Sequence, residues 1–324
     1  MDNHYLDSET YKDGRKPNQD KSMLILKKVI QFIGVILRSF GMYFLGTSIV
    51  LVIFNGIFDN KLDQLFQATD ENSKFWLLLM QGLSQLLGFI IFPVLYIKYF
   101  NKQLLLNFHS KIKSPNSTLL FLLAILILLF SMPLVSWLQE WNKAIDLPES
   151  MDSIEKAMQA SEIRLKALTE KLIYYSDLKS FLFAMVVIAI LPAVGEELLF
   201  RGITQNEMVT ILKNHHAAIW ITGFLFSAMH MQFYGFFPRM LLGVTFGYLY
   251  YWSGNLAIPM FIHFLNNALT LIVMNLYKQK IINIDPESAE SIPPITIVIS
   301  LLVFIFLLVT FKKYNAMGKP NNSY

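Results

Sequence analysis

Apolar segments of bilayer length recur along this chain, and that recurrence constrains the fold more than any other feature. A helix crossing a membrane needs roughly 20 apolar residues, with about 17 to 25 tolerated. Eight segments meet that condition, at about 39–58, 75–97, 118–138, 181–207, 217–232, 236–252, 257–277 and 295–311, each separated from the next by a polar or charged break. The expected fold class is therefore all-α, a polytopic transmembrane helix bundle of about eight spans. Residues 24–37 are apolar too, but Lys27, Lys28 and Arg38 point to an interfacial helix rather than a ninth span. The division expected is a cytoplasmic tail and interfacial segment at 1–38, one membrane domain at 39–311 and a cytoplasmic tail at 312–324. No internal repeat is evident.

Composition agrees. Hydrophobic residues make up 54% of the 324 and charged ones only 15%, with the charges gathered into a few stretches, the signature of a membrane protein. The net charge of +4 comes from basic residues at segment ends, not from a basic stripe, so nucleic acid is not an expected partner. With no cysteine, disulfides and Cys-ligated metals are excluded, and a metal site would have to use His, Asp or Glu. The first 22 residues lack the basic start and apolar run of a cleavable signal peptide.

Lys and Arg number seven before the first segment, two between the first and second, four between the second and third, and three after the last. The excess of cytoplasmic positive charge then places both termini in the cytoplasm. The 139–180 connection, with six basic and eight acidic residues, falls outside in this count, although a loop of that length is weakly governed by the rule. Within it Met151, Ile154, Met158, Leu165, Leu168, Leu172 and Tyr175 recur at helical spacing after Pro148 and Ser150. An amphipathic helix is expected there, resting on the bundle or the membrane surface, or serving as a substrate-gating lid.

The fourth segment reads Leu191-Pro-Ala-Val-Gly-Glu-Glu-Leu-Leu-Phe-Arg-Gly202. Ionisable residues inside a membrane segment are costly and are functional-site hypotheses by default. Glu197 and Arg201 are four apart with the acid first, the favourable order for an ion pair on one helix face. Glu196 points about 100° away and is free to face a cavity as a general base. The fifth segment carries Phe226-Ser-Ala-Met-His230 and the seventh His263-Phe-Leu-Asn-Asn267, again pairs four apart that share a face. Each alone could be helix glue. If the fourth and fifth segments pair antiparallel about Asn214 and His215, His230 falls within one turn of the depth of Glu196.

Glu-Glu-x-x-x-Arg, then Phe-x-x-x-His, then His-x-x-x-Asn, in that order on separate helices, resembles the family of CAAX prenyl proteases and bacteriocin-processing (abortive-infection) membrane endopeptidases. The resemblance covers about residues 181–277, the expected protease core. It implies that Glu196 is the catalytic carboxylate, Glu197 and Arg201 its supporting neighbours, His230 the histidine of the second motif, and His263 and Asn267 the third motif. The implied substrate is a membrane peptide or lipidated protein, and the implied setting is a membrane, taken here as the plasma membrane of a bacterium. Other membrane proteases leave no trace. The chain has no His-Glu-x-x-His and no Gly-x-Gly-Asp, and Gly46-Thr-Ser48 lacks a following Gly and lies far from the histidines. His4, His109, His215 and His216 fall in expected tails or loops.

Two mechanisms fit these residues. In the favoured one no cofactor is used: Glu196 and His230 hold and activate a water, while His263 and Asn267 donate to the oxyanion. In the other, His230, His263 and a glutamate bind one Zn²⁺ that activates the water. A scaffold or immunity protein that binds a membrane peptide without cutting it, and a proton-coupled transporter using Glu196 and His230, are the rival functions.

Overall fold

The computed structural model describes residues 17–59, 61–67, 70–100, 117–173, 175, 177–283 and 292–317. The N-terminal tail to residue 16 with His4, the basic 101–116 stretch with His109, and residues 318–324 lie outside the described residues. Those described form helices and short connections, with no strand among them.

Ten helices follow in order: α1 Pro17–Ile57, α2 Leu62–Gln67, α3 Glu71–Phe100, α4 Ser117–Lys143, α5 Asp152–Ile173, α6 Leu178–Leu212, α7 His215–Met229, α8 Phe236–Ser253, α9 Ala257–Lys278 and α10 Pro294–Met317. Six of them (α1, α3, α4, α6, α9 and α10) are long and apolar enough to cross a membrane. The chain is an integral, polytopic helical membrane protein. The expected spans at 217–232 and 236–252 form helices but do not reach that standard. Helix α7 has 15 residues, about 22 Å at 1.5 Å per residue, and α8 carries Arg239 among its 18. Both are held inside the bundle by protein neighbours. The 24–37 stretch is continuous with the first span instead of forming a separate interfacial helix. The 33 residues from Ile25 to Ile57 measure about 50 Å, more than a hydrocarbon core of about 30 Å.

Three apolar clusters hold the bundle. One joins α1, α3, the second half of α6 and α7 through Val35, Phe89, Phe200 and Phe226. The second joins α4, α8, α9 and α10 through Ile127, Phe246, Ile262 and Phe311. The third gathers the ends of α1, α3, α5 and α6 around Phe54, Leu78, Leu172 and Val187. Close approach depends on absent side chains at several crossings, among them two that involve the motif-bearing helices. A Cβ on Gly195 would lie 2.6 Å from the Cβ of Phe89 on α3, and one on Gly223 2.7 Å from Val244 on α8. Gly195 thus lets α3 press against α6 beside the two glutamates.

Helix α6 is not uniformly α-helical. Wide π turns occupy Met185–Ile190 and Leu198–Thr204, and α3 has another at Leu86–Ile91. Two of these end just before a proline, Pro192 and Pro93. A proline within a helix lacks an N–H and crowds the carbonyl one turn back, and a widened turn relieves both. In the third, side chains take up freed carbonyls: Thr204 Oγ1 donates to Leu199 O at 3.0 Å, and Asn206 Nδ2 to Arg201 O at 2.8 Å and Gly202 O at 2.9 Å. Such π turns are frequent at functional sites, and this one begins at the residue after Glu197.

The expected amphipathic helix is α5. Its packed side carries Met158, Leu165, Leu168 and Leu172, while Met151 and Ile154 at its start are exposed. It rests against α3, α9 and the Phe233–Gly235 turn between α7 and α8.

Candidate active site

The α6–α7 connection turns where the sequence places it. Lys213 adopts a left-handed conformation, φ 55°, and Asn214 caps α7 by accepting from the Ala217 N–H at 3.1 Å. His215 and His216 open α7, exposed, the first stacked on Tyr251 and the second bonded to the Tyr248 hydroxyl at 2.8 Å. Helix α7 ends at Met229, earlier than the expected 232, and His230 caps it.

Glu197 and Arg201 form the expected pair, Nη1 to Oε1 at 2.7 Å, with both side chains 0% exposed. Arg201 Nη2 donates to Gly243 O on α8 at 2.6 Å, and its guanidinium lies between the rings of Phe226 and Phe246, 4.9 and 5.6 Å from their centroids. One cation thereby ties α6, α7 and α8 together. A buried ion pair with further hydrogen bonds and aromatic faces recovers part of the desolvation cost that an isolated pair would carry.

Glu197 has a second partner that the sequence did not suggest. His263 Nδ1 lies 2.9 Å from the same Oε1, which fixes the imidazole of α9 against the α6 carboxylate. With Nδ1–H donating to Glu197, the neutral ring turns the Nε2 lone pair towards Glu196, whose Oε2 is 3.9 Å away. Glu196 is 8% exposed, and its Oε2 has no hydrogen-bond partner among the described residues. Glu197 Oε2 is likewise buried without a partner, but its Oε1 ties that residue to a cation and an imidazole, whereas no such tie holds Glu196.

His230 is half-buried, its Nδ1 2.9 Å from Phe226 O within its own helix, leaving Nε2 unengaged there. The Phe226 ring stands between the two histidines, 5.2 Å from His230 and 5.8 Å from His263. Asn267 lies one turn beyond His263 on α9, half-buried, its Oδ1 accepting from Asn266 at 3.3 Å, which leaves its own amide N–H groups to donate elsewhere. All six residues singled out in the sequence thus lie on α6, the α7 end and one face of α9. Direct contacts join Glu197, Arg201 and His263; His230 reaches them through Phe226. Among the described residues no three His, Asp or Glu side chains come together as a group placed to hold a metal ion.

Residues 178–269 match the family model described as Type II CAAX prenyl endopeptidase Rce1-like. The likeness lies in this segment. It opens with α6 and closes two residues past Asn267, so it contains all three motifs. An uncharacterized protein of Bacillus subtilis (strain 168), YpbD, is 30% identical over 88 residues, 26% of this chain and 42% of that relative. The chain thus spans less than half the length of this relative. No solved structure matches.

Arg239 is also a charge within an apolar segment and so meets the criterion that singles out Arg201. The ring of Phe246 packs 5.3 Å from His263; nothing in the sequence distinguishes that phenylalanine from its neighbours.

Proposed function

We propose that this chain is an intramembrane endopeptidase of the CAAX prenyl protease type, cleaving a membrane-associated peptide or lipidated protein by direct attack of a water that Glu196 activates. The observation carrying this reading is the asymmetry of the glutamates: Glu197 is held by Arg201 and His263 through Oε1, whereas Glu196 is held by neither and faces the oriented imidazole with a buried oxygen 3.9 Å away. A single water about 2.8 Å from both atoms can bridge that gap. The Rce1-like match of the same residues supports it.

In this mechanism the water donates one hydrogen bond to Glu196 and one to His263 Nε2. Glu196 takes a proton as the water oxygen bonds to the scissile carbonyl carbon. The oxyanion is stabilised by Asn267 Nδ2, with His230 beside it. The C–N bond then breaks, and Glu196 returns its proton to the leaving amine, so protons balance over the cycle. His263 has thereby moved from the oxyanion role expected of it to holding the water, because its Nδ1–H is committed to Glu197. Glu197 acts through His263 and Arg201 and is a positioning residue.

The chain sits in a membrane, taken here as a bacterial plasma membrane with both termini cytoplasmic, as the distribution of Lys and Arg supports. The test is a peptidomic comparison of membranes from cells carrying wild-type or Glu196→Ala protein. Peptides with new termini should be present with the former and missing with the latter. Identical peptide sets from two equally expressed proteins would favour a binding protein that does not cut.

A further inference from the structure

Arg239 is a charge near the site that the chemistry above leaves unused. It stands one turn into α8, after the Phe233–Gly235 turn that follows His230. Its guanidinium reaches back to Gln232, Nη1 to the backbone oxygen at 3.4 Å and Nη2 to the side-chain Oε1. Buried Gly235 makes room for it: a Cβ there would stand 2.5 Å from Nη1. The group is thus held in place, half-buried, by neutral acceptors, and among the described residues it makes no ion pair.

The Gln232 it holds is two residues from His230, and the charges of Glu196 and of Glu162 on α5 both act on it. Helix α5 rests on the Phe233–Gly235 turn, so Arg239 lies where α5 meets the end of α7 that carries His230. A partly desolvated cation without an anionic partner is costly, and a fixed guanidinium matches a carboxylate with two parallel hydrogen bonds. The N-terminus of α8 adds positive potential at the same place.

We propose that Arg239 anchors a carboxylate of the bound peptide at the end of α7 that carries His230, and that Glu162 on α5 is the protein's own competitor for it. The inference rests on the reading of the site as a peptide site, but not on turnover. The carboxylate has two sources, the end of the peptide chain or an acidic side chain.

Binding tests it without cleavage. The Glu196→Gln protein in nanodiscs is titrated, by fluorescence anisotropy, with three labelled N-palmitoylated peptides: one with a free C-terminus, its C-terminal amide, and the amide with glutamate as last residue. One of the two carboxylate probes should bind about tenfold or more tightly than the plain amide. Preference for the free end assigns the chain terminus, and preference for the glutamate assigns a side chain. Adding Arg239→Gln should erase the preference and leave the affinity for the amide within about twofold, Arg239→Lys should restore part of it, and Glu162→Gln should strengthen it. The proposal is overturned if no probe binds, if Arg239→Gln and Arg239→Lys both weaken all three alike, or if the preference survives them. Because no turnover is measured, a failed peptidomic test leaves this result standing. Loss of the anchor likewise leaves the protease reading intact.

Discussion

The apolar 18-residue stretches of α6 and α9 have mean hydropathies of 2.2 and 1.6, and those of α1 and α10 have 1.8 and 2.8. By that measure the two pairs overlap, yet they differ in what they bury. Helices α6 and α9 bury Glu196, Glu197, Arg201, Thr204, Gln205, His263 and Asn275; among the described residues α1 and α10 bury only Ser39 and Ser300 as polar groups. Ser39 bonds the Thr204 hydroxyl of α6 at 2.7 Å, and Ser300 donates to Phe130 O on α4. Ser39 also donates to Val35 O of its own helix at 2.9 Å. Hydropathy decides which helices cross the membrane, whereas the mutual pairing of buried polar groups decides where chemistry can be held. The outer helices serve as walls.

That contrast predicts unequal consequences of similar changes. Losing one partner of a buried ion pair costs about 3–5 kcal/mol because the other charge stays uncompensated. Glu197→Gln and Arg201→Gln should each lower the detergent melting temperature sharply, with the double variant costing less than the sum of the singles. Glu197→Gln should also slow turnover, since His263 loses its orienting carboxylate. Additive losses would break the claim that the pair acts as a unit. On the outer wall, Ser300→Ala removes a single hydrogen bond and should cost about 1 kcal/mol with turnover unchanged; a change in turnover would make α10 part of the site.

The Glu197–Arg201 pair and the turn at Lys213–Asn214 were legible because both depend on local rules, spacing along a helix and capping chemistry. The bond from His263 to Glu197 was not, since it joins helices 66 residues apart, and the sequence carries no register between α6 and α9. Each π turn shifts the face on which the residues after it point, which an ideal 100° step cannot foresee. Two expected spans became a 15-residue helix and a helix bearing Arg239, because burial by neighbouring helices substitutes for lipid. Residues 24–37 joined α1 because Lys27, Lys28 and Arg38 do not interrupt helical geometry; Arg38 finds Glu207 of α6 at 2.7 Å instead.

The smallest effect belongs to the junction before α6, at the entry to the motif-bearing segment. Asp177 caps α6 by accepting from the Ser180 N–H at 2.9 Å, and these hydrogen bonds hold its carboxyl below the usual carboxylate range. A folded-state pKa below the unfolded one gives stability that is complete above the unfolded pKa and is lost as pH falls through the folded pKa. Melting followed downwards through the acid range should therefore show a small loss that Asp177→Asn, which keeps an accepting oxygen, does not show. The same acid loss in the variant would assign it to other carboxylates.

The central claim is that the two neighbouring glutamates divide chemistry from structure, and Glu196→Gln tests it most directly. Purified wild-type and variant protein, reconstituted in nanodiscs, are incubated with a substrate peptide identified by the peptidomic comparison, and cleavage and melting are followed on the same samples. The amide cannot take the water's proton, yet it keeps the volume of the side chain and removes an unpaired buried charge. Turnover should fall by at least about 10³-fold while the melting temperature stays level or rises. Cleavage within tenfold of wild type, with or without a change in melting, would contradict the assignment of Glu196 as the base.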